Sequence, residues 1–124
     1  MGADKEQSIS FKTARLAKIQ GFNWFYHALY YDAQGREWLG FSSNSGDYED
    51  KCIKCSQGML HKWLMSQHKL YVQISMVNAK DFTSSVISMD NMEILEESLW
   101  FVSYEEALEH GLYEALKRVK TEFI

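Results

Sequence analysis

Two cysteines three positions apart, Cys52-Ile53-Lys54-Cys55, are the first residues whose spacing suggests chemistry. Such a pair can supply half of a tetrahedral zinc site or a dithiol redox couple. A structural zinc ion needs four ligands, and the nearest further candidates are His61 and His68. On an expected helix those two histidines are separated by about 10.5 Å of rise, too far for one ion without help from a loop. The best partial zinc set is therefore Cys52, Cys55 and His61. For redox chemistry, Lys54 and a helix start just after Cys55 favour thiolate, but the strand–helix–strand surroundings of a thioredoxin-type motif are missing. Two ordinary reduced cysteines, with no metal and no cofactor, are the expectation.

The other catalytic patterns fail on particular residues. His27, His61, His68 and His110 are available as bases, yet none sits in a nucleophile motif. Gly40-Phe41-Ser42-Ser43-Asn44 breaks the G-x-S-x-G elbow at its last position, and no H-E-x-x-H occurs. Gly35 to Gly40 has phosphate-loop spacing, but Phe41 and Ser42 follow where lysine and then serine or threonine are required. Asp47, Glu49 and Asp50 lack the spacing of a calcium loop. No catalytic residue is named, and a non-enzymatic protein is expected.

Binding chemistry has more to offer. The chain has four Trp, seven Tyr and seven Phe. Trp24, Phe25, Tyr26, Tyr30 and Tyr31 crowd one segment, where aromatics on both faces of a strand leave some facing a partner. Trp24, Tyr26 and Tyr30 are the expected protein contacts. Charge is uneven: residues 51–80 hold five lysines and no acid, residues 81–116 hold nine acids and no base, and the net charge is −4. The simpler arrangement sets these two segments side by side so that they neutralise each other. Exposed, Lys54, Lys62 and Lys69 would instead steer an anionic partner such as nucleic acid.

These residues need elements to position them. With 124 residues, 46% of them hydrophobic, the chain suits one domain with a real core. Residues 1–9 read as a flexible N-terminus and 10–124 as the domain. The opening MGADKEQS has no apolar stretch, no apolar run reaches bilayer length, and a cytoplasmic protein is expected. The absence of proline excludes proline-rich linkers and PxxP ligands.

Ser10 as N-cap and Gly21 as terminator bound a first helix. Trp24–Tyr31 and Glu37–Ser42 flank the turn Asp32–Gly35 as a hairpin, and residues 42–50 read as a loop. Ser56 starts a second helix carrying Met59, Leu60, Trp63 and Leu64. Leu70–Val77 alternates with period two, and Thr83–Met89 with Met92–Leu95 suggests a second hairpin. Ser103 and Glu106 form S-x-x-E ahead of a stripe running from Tyr104 through Ala107, Leu108, Gly111 and Leu112 to Val119. Glycine within such a stripe implies close approach to a strand or helix. The class is α+β: an antiparallel sheet of about four to five strands with helices packed on one face, in the order α-β-β-α-β-β-α.

Three segments, Ile9–Phe22, Ser56–Ile74 and Ser103–Val119, resemble a family of small uncharacterised, phage-related proteins of Bacteroides-type gut bacteria. They cover about 40% of the chain. The resemblance implies a single α+β domain from a mobile element and supplies no catalytic residues. Members of that family often carry proline and threonine before the second helix, where this chain has Cys55 and Ser56, which makes the C-x-x-C a local feature. The expected function is a binding or adaptor module acting on another protein or on itself as a homodimer. A nucleic-acid-associated protein using the basic 51–80 segment is the alternative.

Overall fold

Helix ends are set by their own residues. In α1 (Phe11–Ile19) the Ser10 hydroxyl accepts the Thr13 amide at 3.2 Å, filling a donor that the first turn leaves open. Its far end closes as a Schellman motif. Gly21, at φ +98°, donates to the Lys18 carbonyl at 3.1 Å, and Phe22 donates to the Ala17 carbonyl at 2.9 Å. In α2 (Gln57–His68) Ser56 accepts the Met59 amide at 3.1 Å, and Lys69 ends the helix in the left-handed region at φ 55°. In α3 (Tyr104–Lys117) Ser103 accepts the Glu106 amide at 3.1 Å.

The computed structural model describes residues 7–24, 29–39 and 51–119. Within them, β1 (Leu29–Tyr31) and β2 (Glu37–Leu39) form the hairpin expected around Asp32–Gly35. Tyr26, the outer part of the expected return strand and the 42–50 loop lie outside the described residues. The Cys52–Lys54 segment, assigned no regular structure from the sequence, is a strand, β3. It pairs antiparallel with β1, placing Ile53 opposite Tyr30 and Cys52 opposite Tyr31. Residues 7–9 are tied down rather than loose. Ile9 is fully buried and its amide donates to the Cys55 carbonyl at 2.9 Å, while Gln57 donates to the Gln7 carbonyl at 2.8 Å.

β4 (Leu70–Met76) alternates as its sequence does, with Leu70 and Val72 buried and Tyr71 and Gln73 exposed. It pairs with β5 (Phe82–Ser88), which pairs with β6 (Ile94–Glu97) across the expected second turn. That turn has no glycine, and Met92 takes the left-handed φ of 62° instead. The class is α+β, and among the described residues the elements run α-β-β-β-α-β-β-β-α. The one sheet expected from the sequence divides into two of three strands, β2-β1-β3 and β4-β5-β6. At the edge of β4, His61 of α2 accepts the Val72 amide at 3.0 Å, filling a position that another strand would use.

α3 packs on the inner face of β4 and β5 and also touches α1 and α2. Ala107, Leu108, Gly111, Leu112, Ala115 and Leu116 are buried as the stripe requires, whereas Tyr104 at its start is exposed. Gly111 is the point of closest approach. A Cβ there would overlap Val72 Cγ1 and press on Ser84 Cβ at 3.2 Å. Valine is stiff at χ1 and cannot swing clear. Gly111→Ala is therefore expected to lower unfolding stability by about 1–2 kcal/mol, because overpacking outweighs the roughly 1 kcal/mol gained in helix propensity. Urea unfolding checks this, and a midpoint equal to or above that of the parent chain contradicts it.

Candidate functional site

The polar centre of the molecule is Glu109, which the sequence alone did not single out. Residues 109 and 111 stand about 200° apart around a helix, so Glu109 points away from the sheet that Gly111 meets. It faces the starts of the other two helices. Glu109 Oε2 accepts the Ser10 amide at 2.9 Å and the Thr13 hydroxyl. Its Oε1 accepts Gln57 Nε2 at 3.0 Å, and the same nitrogen donates to the Glu105 carbonyl at 3.0 Å. Farther along, Gln20 Nε2 donates to the Leu116 carbonyl at 2.7 Å, so α1 runs parallel to α3. Negative charge is favoured at helix N-termini, and here one carboxylate serves two of them. A carboxylate holding three donors is an acceptor already in use, which makes Glu109 a clasp rather than a base.

The cysteines are sealed in. Cys52 and Cys55 are free thiols and both are buried. Burial pushes Cys52 up to about 11, with Lys18 and Arg15 pulling the other way. Burial pushes Cys55 up to about 12, partly offset by backbone hydrogen bonds. Neither is the exposed thiolate that redox chemistry requires. The partial zinc set Cys52, Cys55 and His61 is not assembled, because His61 is turned to the β4 edge. Among the described residues no group of three or more His, Cys, Asp or Glu is placed to hold a metal.

The expected contact residues separate as well. Tyr30 is 3% exposed and belongs to the hydrophobic cluster, so it is core rather than contact surface. Trp24 is half-buried with its ring centroid 6.3 Å from that of Phe22. Lys54 is bound to Glu37 at 2.6 Å with 14% of its side chain exposed. Lys62 and Lys69 are exposed, and Lys69 also forms the left-handed end of α2. No ion pair joins Lys54, Lys62, Lys69 or Lys80 to an acid of the 81–116 segment among the described residues.

The sheet β4-β5-β6 gathers a group that sequence reasoning missed. Met76 stands opposite Phe82, and Phe82 in turn bridges Phe101 through amide bonds of 2.9 and 2.7 Å. That chain of pairings brings Met76, Val77, Leu99, Trp100, Val102 and Tyr104 to one end of the sheet. Leu99 is 86% exposed, Val102 73%, Met76 68% and Trp100 67%. The available signal was the uncharged run Ser98–Tyr104 inside an otherwise acidic stretch.

No family model matches the chain, and no curated protein or solved structure matches it. No helix among the described residues is long and apolar enough to cross a membrane.

Two outcomes follow from this geometry. Removing the clasp with Glu109→Ala is expected to cost about 2–3 kcal/mol, as for lost hydrogen bonds to a charged group. Its effect should couple to that of Gln57→Ala by about 0.5–3 kcal/mol in a double-mutant cycle, and strictly additive effects contradict the clasp. The second outcome concerns pH. Burial lowers His61 from its ordinary 6.5, and only the neutral ring can accept the Val72 amide. The stability that His61 supplies is complete above pH 6.5 and is lost as pH falls from there through the lowered value of the folded state. Unfolding measured across that range should show a slope that shrinks in His61→Gln. His68, also lowered by burial, acts with the same sign.

Proposed function

We propose that this chain is a non-enzymatic binding module that docks a partner protein through the apolar end of the sheet β4-β5-β6. The observation that carries the reading is the exposure of Leu99, Trp100, Val102 and Met76 together at that end. Contiguous exposed apolar surface costs solubility and marks contact sites on soluble domains. Tryptophan and tyrosine are also the residue types that most often anchor protein interfaces. Glu97, Glu105 and Glu106 are exposed beside the patch, with Lys80 on the neighbouring turn. A second copy would bring acid against acid, so charge favours a partner whose apolar side chains are flanked by lysine or arginine. A cytoplasmic setting, and origin in a prophage or other mobile element, belong to the same proposal and rest on the sequence.

Panning a random peptide library on the purified chain tests it. The selected peptides should carry large apolar residues flanked by basic ones. Their binding should weaken at least about tenfold, or 1.4 kcal/mol, in Leu99→Asp and in Trp100→Ala while holding in Lys62→Glu. Peptides that bind Leu99→Asp equally well would remove the patch from the function. A concentration-dependent dimer abolished by Leu99→Asp would reassign the patch to self-association. Salt-sensitive nucleic-acid binding lost only in Lys62→Glu would overturn the reading in favour of the basic segment.

A further inference from the structure

Two opposite charges, one from α1 and one from α3, line a single hollow. Glu106, His110 and Tyr113 lie four and three residues apart, so they share one face of α3. Lys12 comes from α1. Phe101 stands before α3, fixed by amide bonds of 2.9 and 2.7 Å to Phe82. Together these residues wall a hollow of about 300 Å³. That volume stands at the lower end of the range of small-molecule sites.

Lys12 and Glu106 are both exposed, and among the described residues neither closes an ion pair with the other or with a third group. The Lys12 ammonium stands 4.2 Å from the centre of the Tyr113 ring. Lys117, 5.9 Å from the same ring, is held by Glu114 at 3.4 Å. The rest of the polar lining is already engaged. Ser10, Thr13 and Glu109 are bound to one another in the clasp, which makes them a fixed floor. His110 directs Nε2 at Glu96, 3.7 Å away, and sets its ring centroid 5.1 Å from that of Phe101. One cation, one anion and the rings of Phe101 and Tyr113 are what the hollow offers a ligand.

We propose that this hollow binds a small zwitterion with an apolar side chain, a free amino acid. The carboxylate of the ligand meets Lys12, its ammonium meets Glu106, and its side chain rests against Phe101 and Tyr113. A simple ion would satisfy one wall and leave the opposite charge unmatched, whereas a molecule charged at two points matches both. The rings select for an apolar body, and the few placed charges fix its orientation, a division common to small-molecule sites. The site uses none of Met76, Leu99, Trp100 and Val102, so it stands or falls apart from the docking of a partner protein.

Amide chemical shifts of the full chain, titrated with four probes, test this. L-Phenylalanine should shift the amides around Lys12, Glu106 and Tyr113 in a saturable way. Phenethylamine lacks the carboxylate, 3-phenylpropanoate lacks the ammonium and glycine lacks the side chain, so each should bind more weakly. Lys12→Gln and Glu106→Gln should each weaken L-phenylalanine at least about threefold, the worth of one exposed ion pair, while Lys62→Ala should leave it unchanged. Lys12→Gln should not weaken phenethylamine, and Glu106→Gln should not weaken 3-phenylpropanoate, because each probe lacks the group that the altered residue receives. Dispersed spectra confirm that each variant is folded, and the two variants stand on different helices, so loss of one still leaves the test in place. The proposal is overturned by an absence of saturable shifts, by a singly charged probe that binds as tightly as L-phenylalanine, by binding that persists undiminished in both variants, or by shifts that map to Leu99 and Trp100 instead.

Discussion

A helix can lie tightly against a sheet only where one of them lacks a side chain, and Gly111 is that gap. Val72 Cγ1 and the Ser84 side chain occupy the space that any other residue at 111 would claim. Because α3 settles there, its opposite side is presented to α1 and α2, and Glu109 arrives at the place where both of those helices begin. A single turn of α3 thus sets the distance to one sheet and the positions of the other two helices. Widening the contact at 111 would move the carboxylate away from Ser10 and Gln57 together.

The cysteines show how packing overrides motif. Cys52-Ile53-Lys54-Cys55 has the spacing of a metal or redox pair, and Lys54 and the α2 start would both draw the thiols toward thiolate. Instead the segment forms β3 beneath α1, and burial pushes both thiols far above neutrality. Tyr31 follows the same rule: burial, with Glu37 and other nearby groups adding to it, raises the phenol to about 12, and its hydroxyl donates to the Ile9 carbonyl at 2.8 Å. Spacing in sequence specifies what a pair is able to bind; desolvation decides whether it is reactive.

The surface divides in a corresponding way. The end of β4-β5-β6 presents apolar side chains beside acids, whereas the exposed side of α1 carries Lys12, Arg15 and Ile19. Of the aromatic segment, Tyr30 and Tyr31 supply core instead. Lys54, taken from the sequence as a steering charge, is spent on Glu37 across the sheet. Trp100 and Tyr104 are exposed where local pattern could not locate them, since their meeting with Met76 depends on Met76, Phe82 and Phe101 aligning across three passes of chain.

Local chemistry determined the helix ends before any packing was known. Ser10, Ser56 and Ser103 each accept an amide of their own first turn, and Gly21 terminates α1 by adopting a φ that costs other residues energy. The alternation of Leu70 to Gln73 and the buried stripe of α3 were equally plain, because their periods are those of a strand and a helix. The partition into two sheets, the burial of Tyr30 and the cysteines, the clasp at Glu109 and the apolar end of the sheet were decided only by the tertiary structure. Each rests on partners distant in sequence, ninety-nine residues in the case of Ser10 and Glu109. Such pairings are selected by the fit of surfaces and the satisfaction of buried polar groups, and neither is written in the neighbouring residues.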